Sequence, residues 1–203
     1  MAEQFDLSMN AIMHRAFLRD LGRVADQVRT QRWGSATRRW RLISALLHDH
    51  HTVEDEHLWP VMIDKITDPG DLAVVQAMEV EHEELAEALS HCQTHFAGPP
   101  PAGSQEREQV LADLARLTEV LQRHCAHEES EGEPLIQRYV TPEEFKAFVR
   151  SARSGENRMI VFPWAADGAE PRDVQRVWAH LPRPVRIFLK PRMERAYLAR
   201  LSA

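Results

Sequence analysis

Four segments of this chain repeat their apolar residues every three to four positions, and that period confines it to helices with one buried face. The first runs from about Phe5 to Val28, with Met9, Ile12, Met13, Phe17, Leu21, Val24 and Val28 on or near one stripe. The second runs from about Ala36 to Ile66 through Trp40, Ile43, Leu46, Leu47, Leu58 and Val61, with Ser35 of the Gly34-Ser35 pair expected as its cap. The third spans roughly Leu72 to Phe96 through Val75, Met78, Leu85 and Leu89. The fourth spans about Gln105 to Tyr139, with Val110, Leu114, Leu117 and Leu121 in a/d spacing. Asp68-Pro69-Gly70-Asp71 and the Gly/Pro-rich run from Gly98 to Ser104 separate them. Helices of this length on short turns bury their stripes together as an antiparallel up-down four-helix bundle, so the fold class is all-α. Thr141-Pro142-Glu143-Glu144 reads as a capping box opening a short fifth helix to about Arg153.

Each stripe carries residues that do not belong in an apolar core. They are His14 on the first, His50 and Glu54 on the second, His82 on the third, and His124 and Glu128 on the fourth. A buried carboxylate is costly unless paired or bound to metal, and no Arg or Lys partner stands on these stripes. Imidazole and carboxylate suit iron or manganese, whereas a soft metal calls for thiolates. Residues four apart on a helix share a face. Each His-x-x-x-Glu pair therefore reaches one metal and leaves its Glu able to bridge to a second, a balanced set for two ions ~3.5–4 Å apart.

The motif is duplicated. The segment from His50 to Met62 aligns without gaps on that from His124 to Ile136. Both read His, three residues, Glu, an acid, four residues, Pro, then two apolar residues. A proline inside a helix removes a donor and crowds the carbonyl four residues back, so both helices are expected to kink at the same distance from the candidate ligands. The expected result is a pseudo-two-fold bundle with one metal per half.

His14 with Arg15 to Leu21, His50…Glu54-Asp55…Pro60, Glu81-His82-Glu83 and His124…Glu128-Glu129…Pro134 together resemble the hemerythrin-like, or HHE cation-binding, family over roughly residues 8–140. The resemblance implies a non-haem, oxo- or hydroxo- and carboxylate-bridged pair of iron ions. His14 and His50 would serve one iron, His82 and His124 the other, with Glu54 and Glu128 shared. The chain departs from the oxygen carriers. They have two histidines four apart on the third helix, and here the neighbours of His82 at that spacing are Met78 and Ala86. They also bring an Asp five residues after the fourth-helix histidine, where this chain has Glu128 at +4 and Glu129 at +5, so either is a candidate bridge. The five-histidine carrier site is not reproduced, which argues against simple reversible O₂ storage and for a more open, more reactive or regulatory iron pair. Whether His51 supplies the missing ligand stays open at this level.

A lone histidine on an apolar face is more often structural than a ligand, and only the register of six residues across four helices reverses that. His48, His57, His91, His95 and His180 are read as solvated or supporting, with His57 and His127 the strongest candidates for supporting a ligand. Asp55 and Glu129 each follow a ligand and are read as orienting imidazoles, ferrying protons, or standing as solvated acids. Cys125 is read as a small buried hydrophobe beside His124. A ferritin-like site needs Glu-x-x-His on two helices and a single Glu on two more. Glu54-x-x-His57 and Glu79-x-x-His82 match, but the first helix has no interior Glu and the fourth no such pair.

Of 203 residues, 43% are hydrophobic and 28% charged, an ordinary globular balance with no apolar run near the ~20 residues of a membrane span. The acidic start, Met1 to Asp6, is not read as a signal peptide, and two cysteines form no disulfide framework, so a cytoplasmic setting is expected. Residues 1–150 carry 15 Lys/Arg against 26 Asp/Glu, and 151–203 carry 10 against 5. The expected division is a di-iron bundle over 1–140 and a C-terminal extension over 141–203. That extension comprises the short helix, an apolar covering segment Met159 to Trp164, a helix near 171–181 and a basic helical tail. The tail is expected to pack on the acidic body or serve a homodimer or protein partner; no nucleic-acid motif is present. The functional expectation is a protein reacting with O₂, peroxide or nitric oxide in oxidative-stress protection or sensing, with catalase- or peroxidase-like turnover as its enzymatic form. The alternatives are a non-enzymatic O₂- or iron-responsive module signalling through the tail, and an oxidase or oxygenase acting on an organic substrate.

Overall fold

The computed structural model describes residues 5–152 and 159–202, and every regular element among them is helical. The acidic start read above therefore begins outside the described residues, as does Arg153 at the end of the fifth helix. Among the described residues, no helix is long and apolar enough to cross a membrane. The all-α fold class read from the sequence holds among the described residues. The chain forms two compact units, Met1–Asp6 with Leu47–Gly155, and Leu7–Leu46 with Glu156–Ala203. The first carries 8 Lys/Arg against 24 Asp/Glu and the second 17 against 7, so charge sorts by unit rather than by position along the chain.

The first unit contains the end of α2 (Trp33–His57), α3 (Trp59–Ile63), α4 (Pro69–Ala97), α5 (Ser104–His127), a π-helical turn (Glu128–Gly132), α6 (Glu133–Tyr139) and α7 (Pro142–Ala152). Asp68 caps α4 by accepting from the backbone N–H groups of Gly70 and Asp71 at 2.9 and 3.0 Å. α4 and α5 pack antiparallel, with His82 against His124 at one level and His95 against Asp113 at another. Between these levels lie Leu85, Ala88, Cys92, Leu114, Leu117 and Leu121, all buried. The expected capping box is present: Thr141 N–H donates to Glu144 at 2.8 Å and Glu144 N–H to Thr141 Oγ1 at 3.3 Å.

The second and fourth helices expected from the sequence are each interrupted, and at equivalent positions. α2 ends at His57, Leu58 turns, and α3 restarts at Trp59 with Pro60 in its first turn. In the other repeat α5 gives way to the π-helical turn, and α6 restarts at Glu133 with Pro134 in its first turn. The prolines impose the break in both, and Gly132, where the first repeat has Leu58, accompanies the π form.

The second unit holds α1 (Ser8–Arg29), the start of α2, α8 (Val161–Ala166), α9 (Pro171–Ala179) and α10 (Arg183–Ser202). α1 begins at Ser8 rather than Phe5, because Phe5 is held outside any helix by paired hydrogen bonds with the Gln137 side chain and by stacking on Phe145. α2 begins at Trp33, so Ser35 lies inside it and is not a cap. The turn between α1 and α2 is made by Gln31 at φ 57, in the left-handed region. The apolar segment at 159–164 packs on α1, where Trp164 is fully buried 4.7 Å from Phe17. Its indole N–H donates to the buried Asp20, which also accepts from Arg19, Arg23 and Arg39 at 3.1 Å each. Asp167 accepts from Arg23 and from Tyr197 of α10, extending the network across four helices.

Candidate metal centre

Five of the six residues singled out on the stripes lie in the first unit: His50 and Glu54 on α2, His82 on α4, His124 on α5 and Glu128 at the start of the π-helical turn. Glu54, His82, His124 and Glu128 are buried, and the His50 side chain is 8% exposed. His14 is buried on α1, in the second unit.

Two carboxylates fix the imidazoles. Asp55 Oδ1 lies 2.7 Å from Nδ1 of His82, and Glu81 Oε2 lies 3.0 Å from Nδ1 of His124. An ionised carboxylate only accepts, so each Nδ1 carries the proton and donates it. The Nε2 atoms are left as lone-pair donors, and they face each other at 3.3 Å. Two lone pairs aimed at one another in a buried pocket repel unless a cation draws on both. Two nitrogens each ~2.1 Å from one ion stand roughly 3.0–3.4 Å apart at angles between octahedral and tetrahedral, so the spacing fits a shared ion.

Glu54 stands between two imidazoles. One oxygen lies 3.5 Å from Nε2 of His50 and the other 3.8 Å from Nε2 of His82, so a single carboxylate faces imidazoles of two helices. Glu128 lies 3.6 Å from Nε2 of His124. These separations exceed a hydrogen bond and suit a carboxylate and an imidazole on the same ion. The donors are imidazole nitrogen and carboxylate oxygen with no thiolate, and they fit a hard or borderline cation.

Residues 12–136 match the family model described as the hemerythrin HHE cation-binding domain. The chain belongs to the hemerythrin HHE family. A search of curated proteins returned no match, and neither did a search of solved structures.

Sequence reasoning missed part of this HHE site's support. Asp55 does orient an imidazole, and the ring it holds is His82 of α4. Glu81 was quoted only as part of a motif, yet it accepts from both His124 and His127. Burial works against its charge, but those two hydrogen bonds outweigh it and hold the carboxyl below the usual carboxylate range. The usable signal was its position beside His82, four residues before the buried Leu85 on α4. His127 joins the site through Glu81, whereas His57 is exposed and stands 3.8 Å from Glu56. Gly132 also belongs here: a Cβ at that position would stand 3.3 Å from Cγ of Glu128, so the glycine leaves room for that side chain. Cys125 beside His124 is buried, in keeping with a packing role. Burial and the nearby Asp113 charge push the Cys92 thiol up to about 12, so it stays protonated.

Proposed function

We propose that this HHE protein is a non-haem di-iron protein that reacts with O₂, peroxide or nitric oxide, in protection against or sensing of oxidative stress. The proposed ligands are His14, His50, Glu54, His82, His124 and Glu128. The observation that carries the reading is Glu54, whose two oxygens face Nε2 atoms of His50 and His82, as a carboxylate shared by two ions would. When bound, the irons supply redox equivalents to a small oxidant. The protein's part is positioning. Asp55 and Glu81 retain the Nδ1 protons of His82 and His124, so Nε2 remains the donor atom on each ring. Glu81, kept ionised, links His124 to the half-buried His127. Two free, buried cysteines support a reducing, cytoplasmic setting.

Anaerobic loading with ferrous iron and metal analysis test the centre, with ~2 irons per chain expected. Optical spectra on adding O₂, peroxide or nitric oxide then test the chemistry. Rapid peroxide turnover would support an enzyme and a stable reversible oxygenated spectrum would support carriage. Trace metal after loading, or normal loading in a Glu54→Ala/Glu128→Ala variant, would overturn the assignment.

A further inference from the structure

His51 is a buried histidine outside the duplicated His-x-x-x-Glu motif, and its surroundings are those of a ligand. Its ring stacks on His82 with centroids 4.1 Å apart and an interplanar angle of 21°, and it meets His124 edge-on at 5.2 Å. His51, His82 and His124 each offer a ring nitrogen, and these three atoms lie within 4.8 Å of one another. All three residues are buried. His51 also falls in a second cluster with His50 and Glu54, but adjacent helical residues point about 100° apart, which disfavours His50 and His51 on one ion. The stacking on His82 directs His51 to the other ion.

We infer that His51 is a third imidazole ligand to the ion held by His82 and His124. This rests on the metal reading above and sharpens it. The family's oxygen carriers place a second histidine on the third helix; here Met78 and Ala86 occupy those positions, and α2 supplies the imidazole instead. The duplication breaks at this point. The residue equivalent to His51 in the second repeat is Cys125, so the two halves differ and only one ion gains the extra ring.

The test compares iron release from the full-length wild type and from His51→Gln, both loaded anaerobically and challenged with a ferrous chelator. One iron of the variant is expected to leave at least about tenfold faster than in wild type, since losing even an outer-shell partner costs that much. The other iron should leave at the wild-type rate, and added imidazole should slow the fast one. A folded variant that releases both irons at wild-type rates would overturn the inference. Zinc-loaded wild type labelled with ¹⁵N at histidine gives a readout that needs no variant. A metal-shifted ring signal from His51, alongside those of His82 and His124, is expected, and an unshifted His51 would overturn it. If wild type takes up no metal, the proposed function falls as well; if it loads normally and His51 is silent, this inference alone falls.

Discussion

Asp55 and Glu81 are surface-facing acids that each reach one buried nitrogen, and their contribution should be separable from that of the ligands. Asp55→Ala and Glu81→Ala should leave the ligand set intact yet weaken iron binding by about 10–100-fold, read by chelator competition. Unchanged affinity in both would remove the orienting role. Gly132→Ala acts from the other side. The new methyl would press on Glu128, which is fully buried and has little room to yield, so a comparable loss of iron affinity with near-normal helicity is expected. Asp20 has no part in the metal centre but gathers three arginines and an indole N–H at a fully buried position. Replacing it by Ala leaves three part-buried guanidinium groups and the buried Trp164 indole N–H without this acceptor, and urea denaturation should show a loss of about 3 kcal/mol. The ligands were legible because a His or Glu on an apolar stripe is conspicuous. Glu81 and Gly132 were not, since an acid on a half-exposed face and a glycine after a glutamate look ordinary until the neighbouring helix is in place.

Among the helices, α7 is the plainest case of local chemistry. Thr141 and Glu144 exchange hydrogen bonds across its first turn, and Lys65 also pairs with Glu144. Thr141→Ala should cost about 1 kcal/mol. The Lys65 and Thr141 hydrogen bonds pull the Glu144 carboxyl down to about 2 from 4.5. Because the folded value is depressed, the stabilisation is intact above about pH 4.5 and is lost progressively as the pH falls from there through about 2. In the metal-free protein α7 should therefore be less protected from proteolysis at pH 3 than at pH 7, and Glu144→Gln should erase that difference. The capping box and the proline breaks could be read directly, since each depends on residues within one turn. That one break becomes a π-helical turn and the other a plain interruption could not, because the choice depends on whether Leu58 or Gly132 must be packed.

At the scale of the molecule, the grouping of residues 7–46 with the C-terminal extension is the feature that no local pattern announces. Helical periodicity reports that α1 has a buried face but not which later segment covers it, and here α8 and α9 pack on it. A chain ending after Arg150 would strip Trp164 from Phe17 and from Asp20, and should show low soluble yield and a lowered thermal midpoint even when iron is supplied. A truncated protein as stable as the full chain would show that the extension is dispensable to α1. The charge distribution follows the same grouping, and its consequence lies in handling rather than in chemistry. A protein of net charge −6 with its charges evenly mixed would pass a cation-exchange column at pH 7 and low salt. This one carries a unit with 17 cationic residues against 7 anionic and another with 8 against 24. It should be retained by both cation and anion exchangers and elute from each as salt screens the column.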